Sequence, residues 1–185
     1  GMIAAAAYAR TRHVPCLGIC LGMQIAVIEF ARHVCGLEMA NSGEFNPESP
    51  DKVIDFLPDQ NGEIDMGGTL RLGSFPCKIA PDTCLARCYG KTMIHERHRH
   101  RYEFNNDYRE VLTRAGMVIG GTSPDGHIVE TVELPDQDFF VGVQFHPEFK
   151  SRPNKAHPLF RGLVQASLNR QEKEAGAPLA FEREN

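Results

Sequence analysis

The spacing of apolar residues changes along the chain, and the first residues follow an α/β pattern. Residues 2–9 are rich in alanine and precede Pro15, which predicts a helix that ends before the proline. The apolar run of residues 14–19 is typical of a buried strand, and apolar residues three and four apart within residues 21–34 predict a second helix. Helix, strand, tight turn and helix in this order are the repeating unit of a doubly wound sheet.

The middle of the chain is different, because short apolar runs are separated there by glycine and proline. Between residues 52 and 103 such runs predict the strands of an antiparallel excursion. The predicted strands are residues 53–57, 70–72, 75–79 and 93–97.

The rest of the chain returns to longer elements. A helix is predicted near residues 105–115, and the turn Pro124-Asp125-Gly126 between two apolar runs predicts a hairpin. The later predicted elements are hairpin strands at 117–122 and 127–134, a strand at 139–145 and a helix at 158–169. The expected fold class is α/β, with a doubly wound, mostly parallel, flavodoxin-like sheet flanked by helices and a short antiparallel excursion.

Length and composition fit one globular domain. The 185 residues are 42% hydrophobic and 24% charged, so residues 1–170 are expected to form the domain and residues 171–185 a polar tail. A net charge of -4 argues against a nucleic-acid partner. No apolar stretch is long enough to span a membrane and no signal peptide is evident, so a cytoplasmic protein with reduced cysteines is expected.

A candidate nucleophile lies where the first strand turns into the second helix, in Gly18-Ile19-Cys20-Leu21-Gly22. At such a turn the nucleophile takes a strained backbone conformation, and the flanking glycines leave room for the neighbouring chain and a substrate. The helix N-terminus should favour the thiolate of Cys20. The backbone N–H of Leu21 should face a developing oxyanion.

Less specific interpretations of the cysteines remain open. Cys20 could be a small buried hydrophobe, as Cys16 inside the strand is expected to be. Cys84 and Cys88 lie near His95, His98 and His100 in the sequence, but no second cysteine pair completes a zinc motif, so no metal is expected.

A candidate base follows the strand of residues 139–145. His146 lies at the carboxyl end of that strand, where open α/β sheets build their sites, and Glu148 is close enough to orient the imidazole. A proline turn with two polar surface residues is the alternative. With the cysteine turn, His146 and Glu148 complete a Cys-His-Glu arrangement.

These segments resemble the class I, triad-type glutamine amidotransferases. The resemblance rests on residues 17–24 (LGICLGMQ) and 144–148 (QFHPE). Residues 40–45 (ANSGEF), 66–73 (MGGTLRLG) and 96–103 (ERHRHRYE) narrow it to the amidotransferase domain of the CTP synthase family. The resemblance implies that Cys20, His146 and Glu148 form the catalytic triad.

The same resemblance implies that Leu21, Gln24, Glu44 and Arg101 hold L-glutamine. An acid such as Glu44 suits the α-ammonium group of glutamine, and a guanidinium such as Arg101 suits its α-carboxylate. A solvated basic strand is the alternative for residues 97–101, with arginines on one face and His98 and His100 on the other.

Thr69 and Arg71 match a family segment linked to activation by GTP, with an ordinary glycine turn as the alternative. The resemblance also implies a synthetase domain elsewhere in a full-length homo-oligomeric protein, where ATP and Mg²⁺ drive the amination of UTP to CTP. A family strand and glycine-rich oxyanion loop are expected before Gly1. The rival functions are another class I amidotransferase, a γ-glutamyl hydrolase and a catalytically silent regulatory module.

Overall fold

The computed structural model describes residues 1–56 and 71–176. Within these residues the chain forms five α-helices and nine strands. The helices are α1 (Met2–Thr11), α2 (Leu21–His33), α3 (Cys84–Tyr89), α4 (Arg109–Arg114) and α5 (Pro158–Gly176). The strands are β1 (Cys16–Ile19), β2 (Asn41–Ser42), β3 (Lys52–Asp55), β4 (Arg71–Ile79), β5 (Met93–His100), β6 (Glu103–Phe104), β7 (Val118–Thr122), β8 (Val129–Glu133) and β9 (Phe140–Val143).

The main sheet has six strands in the order β1-β9-β8-β7-β4-β5, and a smaller sheet has the order β2-β3-β6. The α/β class is confirmed. The expectation of a mostly parallel sheet is wrong for the described residues, because only the pairs β1–β9 and β2–β3 run parallel. Short turns join β7 to β8 and β8 to β9, and strands joined by short turns pair antiparallel.

Helices cover both faces of the main sheet. On one face α1 and α2 pack with Val132 and Phe140, and on the other α3 and α5 pack with Val141 and Val143. Alternate residues of β9 therefore enter opposite halves of the core, as the pleat of a strand requires. β9 is buried on both faces and pairs with the partly buried β1, so the core holds the carboxyl ends of these two strands side by side.

Several predicted elements differ from the structure. The two strands predicted at residues 70–72 and 75–79 are one strand, β4. Pro76 is tolerated because β7 pairs only with Lys78 and Ile79, so that among the described strands the rest of β4 pairs with β5 alone.

The C-terminal helix is longer than predicted, since α5 continues to Gly176 rather than ending at Asn169.

The short helix α3 was not predicted. Its N-terminal amides at Cys84 and Leu85 donate to the buried carboxylate of Glu133 on β8, a long-range cap that no local pattern reveals. None of the helices in the described part of the chain combines the length and apolarity needed to cross a membrane.

Candidate active site

Cys20 occupies the strained turn that its sequence context predicts. It lies between β1 and α2 with φ 51° and ψ -103°, a left-handed conformation that is uncommon for a residue with a side chain. Its backbone N–H donates to the carbonyl of Val143 at 2.7 Å, which ties the turn to the end of β9. The surrounding sheet therefore holds Cys20 in a conformation that the chain would not adopt alone.

The two glycines of the motif have different roles. A Cβ on Gly18 would lie 2.7 Å from the carbonyl carbon and oxygen of Gly22 and 2.9 Å from the amide nitrogen of Met23. A Cβ on Gly22 would have no atom of the described residues within 4 Å. Only Gly18 is required by close packing of the turn on itself.

Gly18→Ala is therefore expected to lower the free energy of unfolding by about 2 kcal/mol, because backbone atoms must move to admit the methyl group. Gly22→Ala is the matched control and should change stability by less than about 1 kcal/mol, since alanine suits a helical position. Urea unfolding of both variants measures the difference. Equal losses in the two variants would contradict the packing argument.

The ionisation of Cys20 is set mainly by its half-buried position. Burial raises the pKa of the Cys20 thiol above its ordinary value, and hydrogen bonds from the Leu21 N–H and the Gln144 side chain offset only part of this rise. The amide at the N-terminus of α2 thus favours the thiolate, as expected, but burial has the larger effect on the pKa of Cys20. Loss of hydration outweighs the favourable amide groups.

His146 follows β9 and is oriented by its neighbour. Its Nδ1 lies 2.6 Å from Oε1 of Glu148, and its ring stacks on Phe149 with centroids 5.1 Å apart. Its Nε2 is buried and has no hydrogen-bond partner among the described residues. With Nδ1 held by a carboxylate, Nε2 is the nitrogen that can exchange a proton.

Parallel pairing places the two catalytic candidates at one edge of the sheet. Ile19 of β1 lies opposite Val143 of β9, so Cys20 and His146 follow adjacent strands at their carboxyl ends. This is the edge at which open α/β sheets form their sites. The predicted location of both residues at a strand end is found in the structure.

The turn that carries His146 is anchored to β5. The backbone N–H of His146 donates to the carbonyl of Arg97 at 2.8 Å, and Nζ of Lys150 lies 3.2 Å from the buried carboxylate of Glu96. That carboxylate also accepts from Tyr89 Oη at 3.0 Å and lies 3.3 Å from Nε2 of His157. The polar contacts of Glu96 thus hold the turn after His146 against β5.

A cavity of about 520 Å³ opens beside Cys20. All four predicted glutamine-binding residues line it, together with four residues not predicted for this role. The first set is Leu21, Gln24, Glu44 and Arg101, and the second is Phe45, Arg99, His100 and Tyr102. Glu44 and Arg101 are exposed, whereas Gln24 is buried and donates from Nε2 to the carbonyl of Tyr102 at 3.1 Å.

The strand β5 alternates as predicted. Arg97 and Arg99 are exposed, whereas His98 and His100 are buried with Nδ1 of His98 2.9 Å from Nε2 of His100. Burial, followed by the nearby Arg71 charge, lowers the pKa of His98 to about 2 and that of His100 to about 3. Both imidazoles are therefore neutral and weakly basic, which makes them poor rivals of His146.

Of the two residues predicted to respond to GTP, Thr69 lies outside the described residues. Arg71 is directed inward, with NH2 2.8 Å from Glu130 and NH1 3.4 Å from Glu103. Its guanidinium also lies 4.5 Å from the ring centroid of Phe75. A contact between Arg71 and a nucleotide would compete with these contacts.

All six cysteines are free thiols. In the described ranges, no group of three or more His, Cys, Asp and Glu side chains has an arrangement that could hold a metal ion. Cys84 and Cys88 lie on α3, one turn apart and away from the cavity beside Cys20.

Comparison with known proteins identifies the family of this chain. The family model of class-I glutamine amidotransferases matches residues 1–166, and the chain belongs to that family. A protein of Thermoplasma acidophilum that is described as a GMP synthase subunit shares the fold with a TM-score of 0.58 at 15% sequence identity, covering 94% of this chain and 67% of that chain.

More similar relatives are CTP synthases. The chain is 65% identical over 176 residues to the CTP synthase of Rubrobacter xylanophilus, covering 95% of this chain and 32% of that protein. It is 61% identical over 176 residues to that of Moorella thermoacetica, covering 95% and 33%. The chain thus spans about a third of the length of these relatives.

A solved structure is also similar. The glutaminase domain of Trypanosoma brucei CTPS, with bound acivicin, has a TM-score of 0.86 and 38% sequence identity, covering 91% of this chain and 65% of that chain.

Proposed function

We propose that this chain hydrolyses glutamine to glutamate and ammonia. The observation that carries the proposal is a strained cysteine turn that opens onto a cavity with an acid and an arginine on its walls. Glu44 can pair with the α-ammonium group of glutamine and Arg101 with its α-carboxylate. Both groups are exposed, so they can exchange hydration for the charges of a ligand.

Cys20 and His146 carry out the chemistry in two steps. The sulfur of Cys20 gives up its proton to His146 and attacks the side-chain carbonyl carbon of glutamine. The C–N bond then breaks, and the proton leaves with ammonia, which gives a thioester. Water next attacks the thioester carbon as His146 accepts its proton, and glutamate leaves as the C–S bond breaks and the proton returns to sulfur.

Glu148 and Leu21 support these steps without covalent bonding. Glu148 holds Nδ1 of His146 and stabilises the imidazolium that forms in each step. The backbone N–H of Leu21 lies next to the sulfur at the start of α2, where it can donate to the oxyanion of both tetrahedral intermediates.

The similarity to CTP synthases supports a proposal about the longer protein. In it, ammonia from this chain would be used by a synthetase domain of the same full-length protein to aminate UTP to CTP. ATP and Mg²⁺ would belong to that domain, GTP would act as an allosteric effector near Thr69 and Arg71, and the full-length protein would be a homo-oligomer. The identity of 65% to a CTP synthase favours this function over other amidotransferases and over γ-glutamyl hydrolase.

The glutaminase proposal is tested by intact mass after incubation with the chloroketone analogue of glutamine. The wild-type chain should gain one adduct, and Cys20→Ala none. Arg101→Met should react at least about tenfold more slowly, because a charge-assisted hydrogen bond to the carboxylate is lost. Excess glutamine should slow the labelling of the wild type.

Arg97→Met is the matched control. Arg97 lies on the exposed face of β5 like Arg99, but its side chain does not line the cavity beside Cys20. This variant should react at the wild-type rate. An adduct that persists in Cys20→Ala, or a folded wild-type chain that gains none, would refute the proposal.

A further inference from the structure

Gln144 is buried against the nucleophile, and the steps described above do not use it. Its side chain is 0% exposed and follows β9 directly. Its Nε2 lies 3.6 Å from Sγ of Cys20, and its Oε1 lies 3.3 Å from Nε2 of Gln24. Gln144 begins the segment QFHPE that carries the family resemblance, but no role was predicted for it, because a glutamine after an apolar strand has no chemical signature of its own.

The direction of the Gln144 amide is fixed by a backbone carbonyl. Nε2 of Gln24 lies 3.1 Å from the carbonyl oxygen of Tyr102, which can only accept hydrogen bonds. The NH₂ group of Gln24 must therefore be on this side, where it also faces Gln144. Gln144 then presents its own carbonyl to Gln24, which leaves its NH₂ group facing the sulfur of Cys20.

Both ends of this arrangement are held by the sheet. The backbone N–H of Gln144 donates to the carbonyl of Glu130 at 2.9 Å, and that of Cys20 donates to the carbonyl of Val143 at 2.7 Å. The donor and the sulfur thus extend from adjacent strands and need little reorganisation when charge forms on sulfur.

We propose that Gln144 is a catalytic residue that donates a hydrogen bond to the Cys20 thiolate, and that Gln24 is a positioning residue that keeps the Gln144 amide in the donating orientation. The inference rests on the proposed role of Cys20 as nucleophile. A buried thiolate lacks the hydration that stabilises it in water, and an N–H donor aimed at the sulfur replaces part of that hydration. Gln24 would thus act on the sulfur as well as line the glutamine cavity.

The pH dependence of alkylation at Cys20 tests the proposal on the thiol itself. Rates of reaction with iodoacetamide are measured for the Cys20 peptide by mass spectrometry. In Gln144→Met the apparent pKa of Cys20 should rise by about one unit, and alkylation at neutral pH should slow about tenfold. Gln24→Met should shift the profile in the same direction by less, because Gln144 keeps its donor but loses its orienting partner.

Gln137→Met is the control, because Gln137 precedes β9, whereas Gln144 follows it, and its Nε2 donates to the carbonyl of Arg10. It should leave the Cys20 profile unchanged. A folded Gln144→Met chain with the wild-type profile would overturn the proposal.

A second measurement covers the case in which Gln144→Met does not fold. In NMR spectra of a wild-type chain whose glutamine residues carry an isotope label in the side chain, the NH₂ resonance of Gln144 should shift as Cys20 titrates. The variant Cys20→Ala should not show that shift. A resonance that does not respond to the titration would also overturn the proposal. Failure of the wild-type chain to hydrolyse glutamine would instead refute the proposed function, since neither thiol measurement depends on turnover.

Discussion

His146→Asn is expected to reduce the rate of glutamine hydrolysis by about 10³-fold. One imidazole nitrogen must transfer a proton both when ammonia leaves and when water attacks, and each such transfer contributes about 10²- to 10⁴-fold. Nε2 of His146 is the nitrogen without a partner among the described residues, and Nδ1 is held by Glu148. Ammonia release by the purified chain, measured at saturating glutamine, gives the rate.

Two further variants distinguish a base from a residue that only maintains the fold. Glu148→Gln should cost less than His146→Asn, because Glu148 acts through His146 and is half-exposed. His127→Asn alters an exposed histidine in the β7–β8 turn and should have the wild-type rate. If His146→Asn stays within about tenfold of the wild type, another group is the base, and His98 and His100 are poor replacements because burial holds each pKa at about 2 and about 3.

Local patterns in the sequence predicted the elements whose signals are local. The apolar run before Cys20 and the helical spacing after Leu21 predicted β1 and α2, and the Pro-Asp-Gly turn predicted the β7–β8 hairpin. The strand order was not predictable in this way. It depends on which strands share a core face, and the mostly antiparallel pairing follows from chain connections rather than from residue type.

The same distinction applies to the site. Cys20, His146 and Glu148 follow strands that local patterns predict, so their position at the carboxyl ends of β1 and β9 could be predicted. The contacts of Gln144 and Arg71 depend on residues far away in the chain, and no local motif indicates such contacts. Arg71 shows the consequence, because the glycine-rich segment around it did not predict its contacts with Glu103 and Glu130.

The buried histidine pair gives the second large expected effect, an acid-dependent loss of stability. His98 and His100 pack against Arg71, Glu103 and Glu130, which come from β4, β6 and β8. Burial lowers the pKa of His98 and His100 to about 2 and about 3, whereas the unfolded chain binds protons on histidine near pH 6.5. The stability that they contribute is therefore present above about pH 6.5 and is lost as the pH falls from there toward about 3.

Glu103 acts in the opposite direction. Burial raises the pKa of Glu103 to about 8, so its contribution is present at low pH and is lost as the pH rises through that value. The two effects oppose each other between about pH 4.5 and pH 6.5, so the net pH dependence of the wild type cannot isolate the histidines. A comparison of variants between these two pH values can isolate the contribution of a single histidine.

The quantity compared is the change in the free energy of unfolding between about pH 6.5 and pH 4.5. In His98→Gln this acid-dependent loss should be smaller than in the wild type by about 2 kcal/mol, because one histidine no longer binds a proton on unfolding. The free energy of unfolding in urea at the two pH values measures this difference, whatever the variant does to stability at neutral pH. His127→Gln should keep the wild-type difference, since His127 is exposed. An equal difference in His98→Gln and the wild type would mean that His98 binds its proton in the folded chain, and His98 would then be a charged partner of Glu130 rather than a neutral part of the core.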